Sequence, residues 1–383
     1  PSDQTVPQSA LDQIKEDLII GVQFYEERMR KTSLYFAFVE GEEVVPEKTL
    51  RKRKNILRSL FFESMILLII LFMIVNIFLL FIFGPLTPAL LVIFQFLMVL
   101  NADKVTSRMG DWVLSPQKPR IHLLQYHLSM EEYEKFRQKY RLEELLQMKK
   151  EIYDRTLALG KDINCETSRE VLLKHGFECV PENMATKTVD VYQLVKNAAE
   201  IYGLPIPKIV ISNTMLPNAA ASGPSPKRGV MLITTGLLVQ LEEDEILSVI
   251  GHEFGHLKGR DPLILFALTS SQYLFQVYVL GYLWPELFFF PFFYFYFLFT
   301  MGVIYFIAKF FEARADLESA AHVGQPQVLA EALRKIGFRR LQLERVQANK
   351  VQDWLGWDPH PPIYFRIGRL EKLQAPVKVR HTL

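Results

Sequence analysis

The apolar residues of this chain are concentrated in two long blocks rather than spread evenly. The first block covers residues 60–100 and is interrupted by the turn-forming run Gly-Pro-Leu-Thr-Pro at 84–88. The second covers residues 263–311 and is interrupted at Trp284-Pro285-Glu286. Each block therefore predicts a helical hairpin, in which two apolar helices are joined by a short turn.

The length of the four arms indicates what they are for. An α-helix needs about 20 apolar residues to cross a bilayer. The arm 60–83, in which Glu63 is the one charged residue, and both arms of the second block reach that length. The arm 86–100 is shorter, so its helix is expected to continue past Asn101 or to tilt less. The pattern predicts four membrane spans, arranged as two hairpins.

Basic residues flank these spans on one side. They precede the first and third spans and follow the second and fourth, and neither hairpin turn contains Lys or Arg. The positive-inside rule then predicts an integral multi-pass protein of the cell membrane, with both termini and all soluble segments in the cytoplasm. The first 50 residues are polar and mixed, unlike a cleaved signal peptide. The flanking residues are Arg51, Lys52, Arg53, Lys54, Arg58, Lys104, Arg108, Lys258, Arg260, Lys309 and Arg314.

The soluble segments show a mixture of helix and strand patterns. Apolar spacing predicts helices over 10–31 and 189–202, and β-formers predict a strand or hairpin over 32–45 and short strands at 208–212, 218–222 and 230–234. The charge-rich stretch 130–159 is expected to be a solvated helix, with a partner-binding helix as the alternative. The acidic run Leu241-Glu242-Glu243-Asp244-Glu245 predicts the start of a further helix, because carboxylates stabilise a helix N-terminus.

Charge and cysteine content exclude some functions and leave others open. The 383 residues carry a formal net charge of +2, without a basic stripe interleaved with aromatics, so nucleic acid is not an expected partner. Cys165 and Cys179 are 14 residues apart and form no CxxC pair. Two reduced thiols in a reducing compartment are expected, rather than a disulfide or a metal site.

The helix that follows the acidic run carries His252-Glu253-Phe254-Gly255-His256. Histidines four residues apart lie on one face of a helix, so both imidazoles can reach one zinc ion, with Glu253 beside the water that zinc activates. The alternative is a helix with two incidental histidines. A catalytic zinc needs a third protein ligand, and Glu312 offers one, although alone it could be a solvated charge. Asp316, one turn later, could accept the other ring N–H of a ligand histidine.

Four ordered motifs resemble one known family. They are the HEFGH motif with Asp261, the E-x-x-A-D run at 312–316, Pro217-Asn218-Ala219-Ala220-Ala221 with the strand run from Gly229, and His360-Pro361-Pro362 with Arg366. In their order along the chain, they resemble the HtpX-type membrane zinc metallopeptidases, a family that includes the CAAX prenyl proteases. The resemblance covers residues 186–373 and implies an α+β fold: a multi-pass α-helical membrane protein with a cytoplasmic zincin-like (gluzincin) metallopeptidase domain. Six segments are expected: 1–55, N-terminal region; 56–101, transmembrane hairpin 1; 102–185, mainly helical insert; 186–262, peptidase domain with the HExxH helix; 263–308, transmembrane hairpin 2; and 309–383, the part with the third ligand.

The resemblance also implies a role for each matching residue. His252, His256 and Glu312 would bind one Zn²⁺ per chain, and Glu253 would be the general base. Asp316 and Asp261 would orient the ligand histidines. An edge strand would pair with an extended substrate backbone, and it consists of Asn218, Ala219, Ala220 and Ala221. His360 and Arg366 would lie near the site, either to stabilise the tetrahedral oxyanion or as a structural brace.

The expected function is zinc-dependent endoproteolysis at the cytoplasmic membrane face, with protein or peptide substrates, among them damaged or misassembled membrane proteins of the bilayer. One alternative is a processing protease for prenylated C-termini, which usually has more than four spans. A second is a non-catalytic membrane assembly factor with a structural zinc. A member without activity is expected to have lost Glu253 or a ligand, and this chain retains them all.

Overall fold

The computed structural model describes residues 7–46, 74–75, 77–288, 291–346, 354 and 358–373. The chain divides into two compact units. The first unit comprises Pro1–Glu47 with Arg120–Val189, and the second comprises Lys48–Pro119 with Asp190–Leu383. The N-terminal region and most of the expected insert, which the sequence suggested as separate segments, thus form one unit.

Helices and strands alternate along the chain in an α+β order. The strands are β1 (Ser33–Val39), β2 (Trp112–Leu114), β3 (Arg120–His127), β4 (Met184–Asp190), β5 (Lys208–Ser212), β6 (Ala219–Ser222) and β7 (Val230–Thr234). The main α-helices are α1 (Gln8–Lys31), α2 (Thr87–Leu100), α3 (Ala102–Met109), α4 (Met130–Lys139), α5 (Leu142–Arg155), α6 (Cys165–Lys174), α7 (Val191–Tyr202), α8 (Thr235–Gln240), α9 (Glu243–Gly259), α10 (Asp261–Leu274), α11 (Phe292–His322), α12 (Pro326–Ile336), α13 (Phe338–Val346) and α14 (Ile363–Glu371).

The first unit is built on a three-stranded sheet in the order β1-β3-β4. β1 and β3 are antiparallel, with Ser33 opposite His127 and Val39 opposite Ile121. Apolar residues of α4 and α5, among them Phe136 and Ile152, are buried in a core with this sheet. The stretch 130–159 is therefore two packed helices and a short 3-10 turn rather than the single solvated helix that its charges suggested. The helix over 10–31 and the strand within 32–45 are confirmed.

A disulfide joins Cys165, the first residue of α6, to Cys179. The expectation of two reduced thiols was therefore wrong. The Cα atoms of the two residues are 5.6 Å apart, because the chain turns back at Gly176 after α6. A separation of 14 residues in sequence contains no signal for such a turn in space.

The second unit contains a four-stranded sheet in the order β2-β5-β7-β6. β5 and β7 are parallel, whereas β2 and β6 are antiparallel to their neighbours, so that β6 is an edge strand. The strands expected at 208–212 and 230–234 are confirmed with the same bounds, and the strand near 218–222 begins one residue later, at Ala219. The helix α7 ends at Gly203, whose φ of 61° is the left-handed conformation that glycine adopts at low cost.

Helix α9 is the central element of this unit and packs against α7, α11, α12 and strand β6. Its first turn contains Glu243, Asp244 and Glu245, and the Glu245 carboxylate accepts a hydrogen bond of 2.8 Å from the Glu242 N–H. This capping box and the acidic residues both stabilise the helix N-terminus.

Three stretches of the described residues are long and apolar enough to cross a membrane: Ile77–Leu100, Asp261–Leu283 and Tyr294–His322. The first contains a reversal. The Thr87 hydroxyl donates a hydrogen bond of 3.0 Å to the Leu79 carbonyl eight residues earlier. In a continuous helix these residues would be about 12 Å apart along the axis, so the chain turns back after Gly84, whose φ is 51°. The predicted first span lies mostly outside the described residues.

Candidate metal centre

Two helices meet closely at the site because their contact face consists of small residues. A Cβ atom added to Gly255 of α9 would lie 3.1 Å from Ala315 Cα of α11, and one added to Gly251 would lie 2.6 Å from Val323. The buried Ser319 hydroxyl donates a hydrogen bond of 2.7 Å to the Ser248 carbonyl across the same contact. This close approach allows side chains of α11 to reach the histidines of α9.

His252, His256 and Glu312 converge at this contact, with one donor atom of each within 4.8 Å of the others. The two histidine Nε2 atoms are 3.1 Å apart. Glu312 Oε2 is 3.4 Å from His252 Nε2, and Glu312 Oε1 is 3.3 Å from His256 Nε2. Ligands about 2.0–2.1 Å from a tetrahedral metal ion lie about 3.3 Å from one another. The three side chains therefore match one face of such a coordination tetrahedron.

Each histidine is held by a carboxylate at its second ring nitrogen. Asp316 Oδ1 is 2.9 Å from His252 Nδ1, and Asp261 Oδ2 is 2.7 Å from His256 Nδ1. These contacts place the Nδ1 proton towards the carboxylate, which leaves Nε2 of both rings available as a donor to a metal ion.

Each of these carboxylates is in turn bound by an arginine. Arg366 Nε and Nη2 donate bonds of 2.8 and 2.7 Å to Asp316, and both residues are buried. Arg314 Nη2 lies 2.7 and 2.6 Å from the two oxygens of Asp261. The resemblance implied a place near the site for Arg366. It missed Arg314, which the sequence suggested only as a charge flanking a span.

The charge balance of the site favours a divalent cation. Two arginines offset two of the four surrounding carboxylates, those of Glu253, Glu312, Asp316 and Asp261, which leaves a charge of about 2− before the histidines are counted. Burial alone would lower the pKa of His256, but its hydrogen bonds to Asp261 and Glu312 and the charge of Glu253 raise the pKa to about 10. The carboxylates around His256 therefore favour positive charge at this position, which a bound metal ion would supply.

Glu253 lies beside the edge strand. Its Oε2 accepts a hydrogen bond of 2.7 Å from the Ala221 N–H, which therefore points away from β7. Hydrogen-bonded and non-bonded pairs alternate along an antiparallel ladder, so Ala219 shares this outward orientation, while Ala220 faces β7. Asn218 precedes the strand and is held by Thr234, whose hydroxyl accepts from the Asn218 N–H at 2.9 Å.

His360 lies near Glu312 of the cluster. Its Nε2 is 3.7 Å from Glu312 Oε1, and its Nδ1 is 3.0 Å from Asp358 Oδ1. About half of its side chain is exposed, in contrast to the buried Arg366. Asp358, which sequence analysis did not single out, fixes the ring with one nitrogen towards the site.

The chain is similar to known proteins over the region that contains these residues. The model of Peptidase family M48 matches residues 185–374. A protease HtpX homolog of Thermodesulfovibrio yellowstonii is 32% identical over 241 residues, which cover 53% of this chain and 80% of that protein. A protease HtpX homolog of Thermococcus sibiricus is 47% identical over 75 residues, which cover 20% of this chain and only 26% of that protein.

Among solved structures, the crystal structure of S. mikatae Ste24p is similar with a TM-score of 0.35 and 17% identity, over 46% of this chain and 49% of that one. The identity and coverage of the HtpX homolog from Thermodesulfovibrio yellowstonii, together with the M48 match, confirm the family that the four motifs indicated. The chain belongs to peptidase family M48, with the HtpX-type proteases.

Proposed function

We propose that this protein is a zinc-dependent endopeptidase that hydrolyses peptide bonds at the cytoplasmic face of a membrane. The observation that carries the proposal is the three-donor cluster of His252, His256 and Glu312, with the Glu253 carboxylate between the cluster and an edge strand. Two imidazoles and one carboxylate at tetrahedral spacing are the donor set of catalytic zinc, in which a fourth position remains for a water or a substrate.

Each residue has a distinct task. His252, His256 and Glu312 would hold zinc, and Asp316 and Asp261 would keep the histidine Nδ1 protons in place. When bound, zinc supplies a Lewis acid for the scissile carbonyl and lowers the pKa of a water to about 7. Glu253 removes the proton from the attacking water and then delivers it to the leaving nitrogen.

The substrate is proposed to lie along β6 as an additional strand. Ala219 directs its N–H and C=O away from β7, and neither group has a hydrogen-bond partner among the described residues. An extended peptide can pair with these groups through its own backbone. The scissile bond of this peptide then lies next to Glu253, because the Glu253 carboxylate accepts a hydrogen bond from Ala221, two residues after Ala219 in the same strand.

His360 and Arg366 are assigned different tasks because their surroundings differ. Arg366 uses two nitrogens on Asp316 and is buried, which suits a structural brace. His360 is half exposed and presents Nε2 towards the cluster while Asp358 holds Nδ1. It is the better candidate to donate a hydrogen bond to the oxyanion that develops during attack.

The geometry favours substrates at a membrane surface. Asp261, which holds His256, is the first residue of one candidate span, and Glu312 lies in the C-terminal half of another, Tyr294–His322. Exposed segments of membrane proteins, as in quality control of damaged proteins, are therefore the proposed substrates. Processing of prenylated C-termini and a non-catalytic assembly role are the competing functions.

Two features favour opposite sides of the membrane for the metal centre. The basic residues that flank the spans favour the cytoplasmic face. The Cys165–Cys179 disulfide favours an oxidising face, because disulfides are rare in the cytosol outside hyperthermophiles. A cysteine introduced as Lys372→Cys, in a variant without the disulfide, should react with a membrane-impermeant thiol reagent only after cell lysis. Labelling in intact cells would place the site on the opposite face.

Activity of the detergent-purified chain tests the proposal. With zinc, the wild-type chain should cut an unstructured protein at internal bonds, and both chelation and Glu253→Gln should abolish cleavage, while Glu253→Gln keeps its zinc. Glu243→Gln, at the exposed start of the same helix, is the matched control and should retain activity. Cleavage by Glu253→Gln at the wild-type rate would contradict the mechanism. Cuts confined to prenylated C-termini would favour the processing function.

A further inference from the structure

A basic surface pocket lies where helix α3 meets strands β5 and β7, and the metal centre makes no use of it. The pocket has a volume of about 500 Å³. Five cationic side chains line it, with a single carboxylate, that of Asp103: they are Lys104, Arg108, Lys208, Lys227 and Arg228. These residues come from three separate parts of the sequence, so the cluster arises only in the folded unit.

The charge of this pocket is largely unmatched. Arg228 is bonded to Asp103 at 2.9 Å, and Lys104 to the side-chain oxygen of Asn101. The other three, Arg108, Lys208 and Lys227, are exposed and have no carboxylate partner within the part of the chain that the structure describes. Converging cations with free N–H donors at a concave surface are the requirement for binding a phosphate group.

The position of the pocket indicates which phosphate it meets. Arg228 Nη2 donates a hydrogen bond of 2.7 Å to the carbonyl of Leu100, the last residue of the apolar helix α2 that follows the chain reversal at Gly84. On the other side, Gly229 lies against Leu257, four residues before the next candidate span begins at Asp261. Phe96 of α2 and Phe266 of α10 are stacked, with their ring centroids 6.0 Å apart. The pocket therefore lies between the ends of two neighbouring apolar helices, a position that corresponds to the level of lipid headgroups when these helices lie in a membrane.

We propose that this pocket binds the phosphate-bearing headgroup of an anionic phospholipid. The two apolar helices would receive the acyl chains, and Arg108, Lys208 and Lys227 would contact the headgroup. The attraction of a basic residue to an anionic membrane surface decays within a Debye length, about 8 Å at physiological salt, so cations at this level are placed to contribute.

Binding to the full purified chain tests the proposal directly. Native mass spectrometry in detergent would compare retention of dioleoylphosphatidylglycerol with that of dioleoylphosphatidylcholine. The wild-type chain should retain the anionic lipid preferentially. Lys208→Ala/Lys227→Ala should weaken its retention by about fivefold for each lost cation, and so by about 25-fold in total. Lys196→Ala/Lys372→Ala removes two cations of the same unit outside the pocket and should leave retention within about twofold of the wild-type value.

Three results would overturn the proposal. One is equal retention of the anionic and the zwitterionic lipid. Another is wild-type retention by Lys208→Ala/Lys227→Ala. The third is displacement of the lipid by millimolar inorganic phosphate, which would assign the pocket to a soluble phosphate ligand. Because Lys208 and Lys227 are exposed, the double variant is expected to fold normally, and an unchanged unfolding temperature verifies this.

A consequence for activity rests on the proposed function. Thr106 of α3 and Ser222 of the edge strand β6 share a hydrogen bond of 2.7 Å, so a lipid that holds α3 also supports the strand that receives substrate. Cleavage in proteoliposomes should rise with the anionic lipid fraction for the wild-type chain and for Lys196→Ala/Lys372→Ala, but not for Lys208→Ala/Lys227→Ala. Absence of cleavage in every lipid would contradict the proposed function, whereas the lipid-retention result would stand by itself.

Discussion

Replacement of Asp316 by asparagine separates the two tasks of this side chain. Asp316 is 2% exposed, and its carboxylate contacts both His252 Nδ1 at 2.9 Å and Arg366 at 2.7 and 2.8 Å. Asp316→Asn keeps the shape but removes the charge, which leaves the buried Arg366 without its main counterion. The asparagine can also turn its NH₂ group, instead of its oxygen, towards His252 Nδ1, where the ring proton needs an acceptor.

The size of both effects follows from these contacts. Breaking a buried ion pair costs about 3–5 kcal/mol, because one charge remains buried and unpaired. Glu312 Oε2, 3.5 Å from Arg366 Nη1, still offsets part of that charge, so the lower limit of about 3 kcal/mol is expected. Loss of a carboxylate behind a ligand histidine weakens metal binding by about 10- to 100-fold.

Asp261→Asn is the matched control. Asp261 also holds a ligand histidine, but its arginine partner, Arg314, has a side chain that is 29% exposed and can be solvated. Asp261→Asn should therefore weaken zinc binding to a similar degree, at a cost in stability of only about 1 kcal/mol. A second variant, Asp316→Asn/Arg366→Met, removes the unpaired charge and should recover stability without recovering zinc affinity.

Stability is measured by denaturant unfolding of the metal-free chain, because bound zinc itself stabilises the folded state. Zinc affinity is measured by competition with a chromophoric chelator. Equal metal-free stability of Asp316→Asn and Asp261→Asn would refute the buried-charge argument. Wild-type zinc affinity in both variants would refute the orienting role of the two carboxylates.

Three further substitutions test the contact between α9 and α11, the disulfide and the task of His360. Gly255→Leu should force α11 away from α9 at Ala315, which lowers the free energy of unfolding by about 1–3 kcal/mol and removes most of the bound zinc. Gly368→Leu, at a helical glycine with open space around it, should keep its zinc, and equal zinc contents of the two variants would contradict the close approach of the helices. Cys165→Ser should lower the free energy of unfolding by up to about 3 kcal/mol with zinc content unchanged, and an unchanged urea midpoint would contradict a structural role for the disulfide. His360→Ala should lower kcat by about 10²- to 10³-fold with one zinc retained, and loss of zinc instead would make it part of the metal site.

Local signals in the sequence predicted the elements that carry the site. The runs of β-formers at 208–212 and 230–234, the acidic residues at the start of α9 and the glycine after α7 each indicated a boundary that the structure reproduces closely. These signals are local, because each depends only on residues that are close together in the sequence.

Long-range pairing was beyond such signals. β1 and β3 pair although about 80 residues separate them, which is why residues 1–55 and the insert were expected as separate segments. The disulfide depends in the same way on a turn at Gly176. Arg314 was missed because a basic residue after a span has an ordinary explanation, and only the fold brings it onto Asp261.

The zinc content of purified Glu312→Ala tests directly whether three side chains on two helices hold one catalytic metal ion. Glu318→Ala, on the same helix and outside the cluster, is its control. Elemental analysis should find one zinc per chain in the wild-type protein and in Glu318→Ala, and little in Glu312→Ala, with peptide cleavage lost together with the metal. A full equivalent of zinc in Glu312→Ala would remove Glu312 from the ligand set and contradict the proposed site.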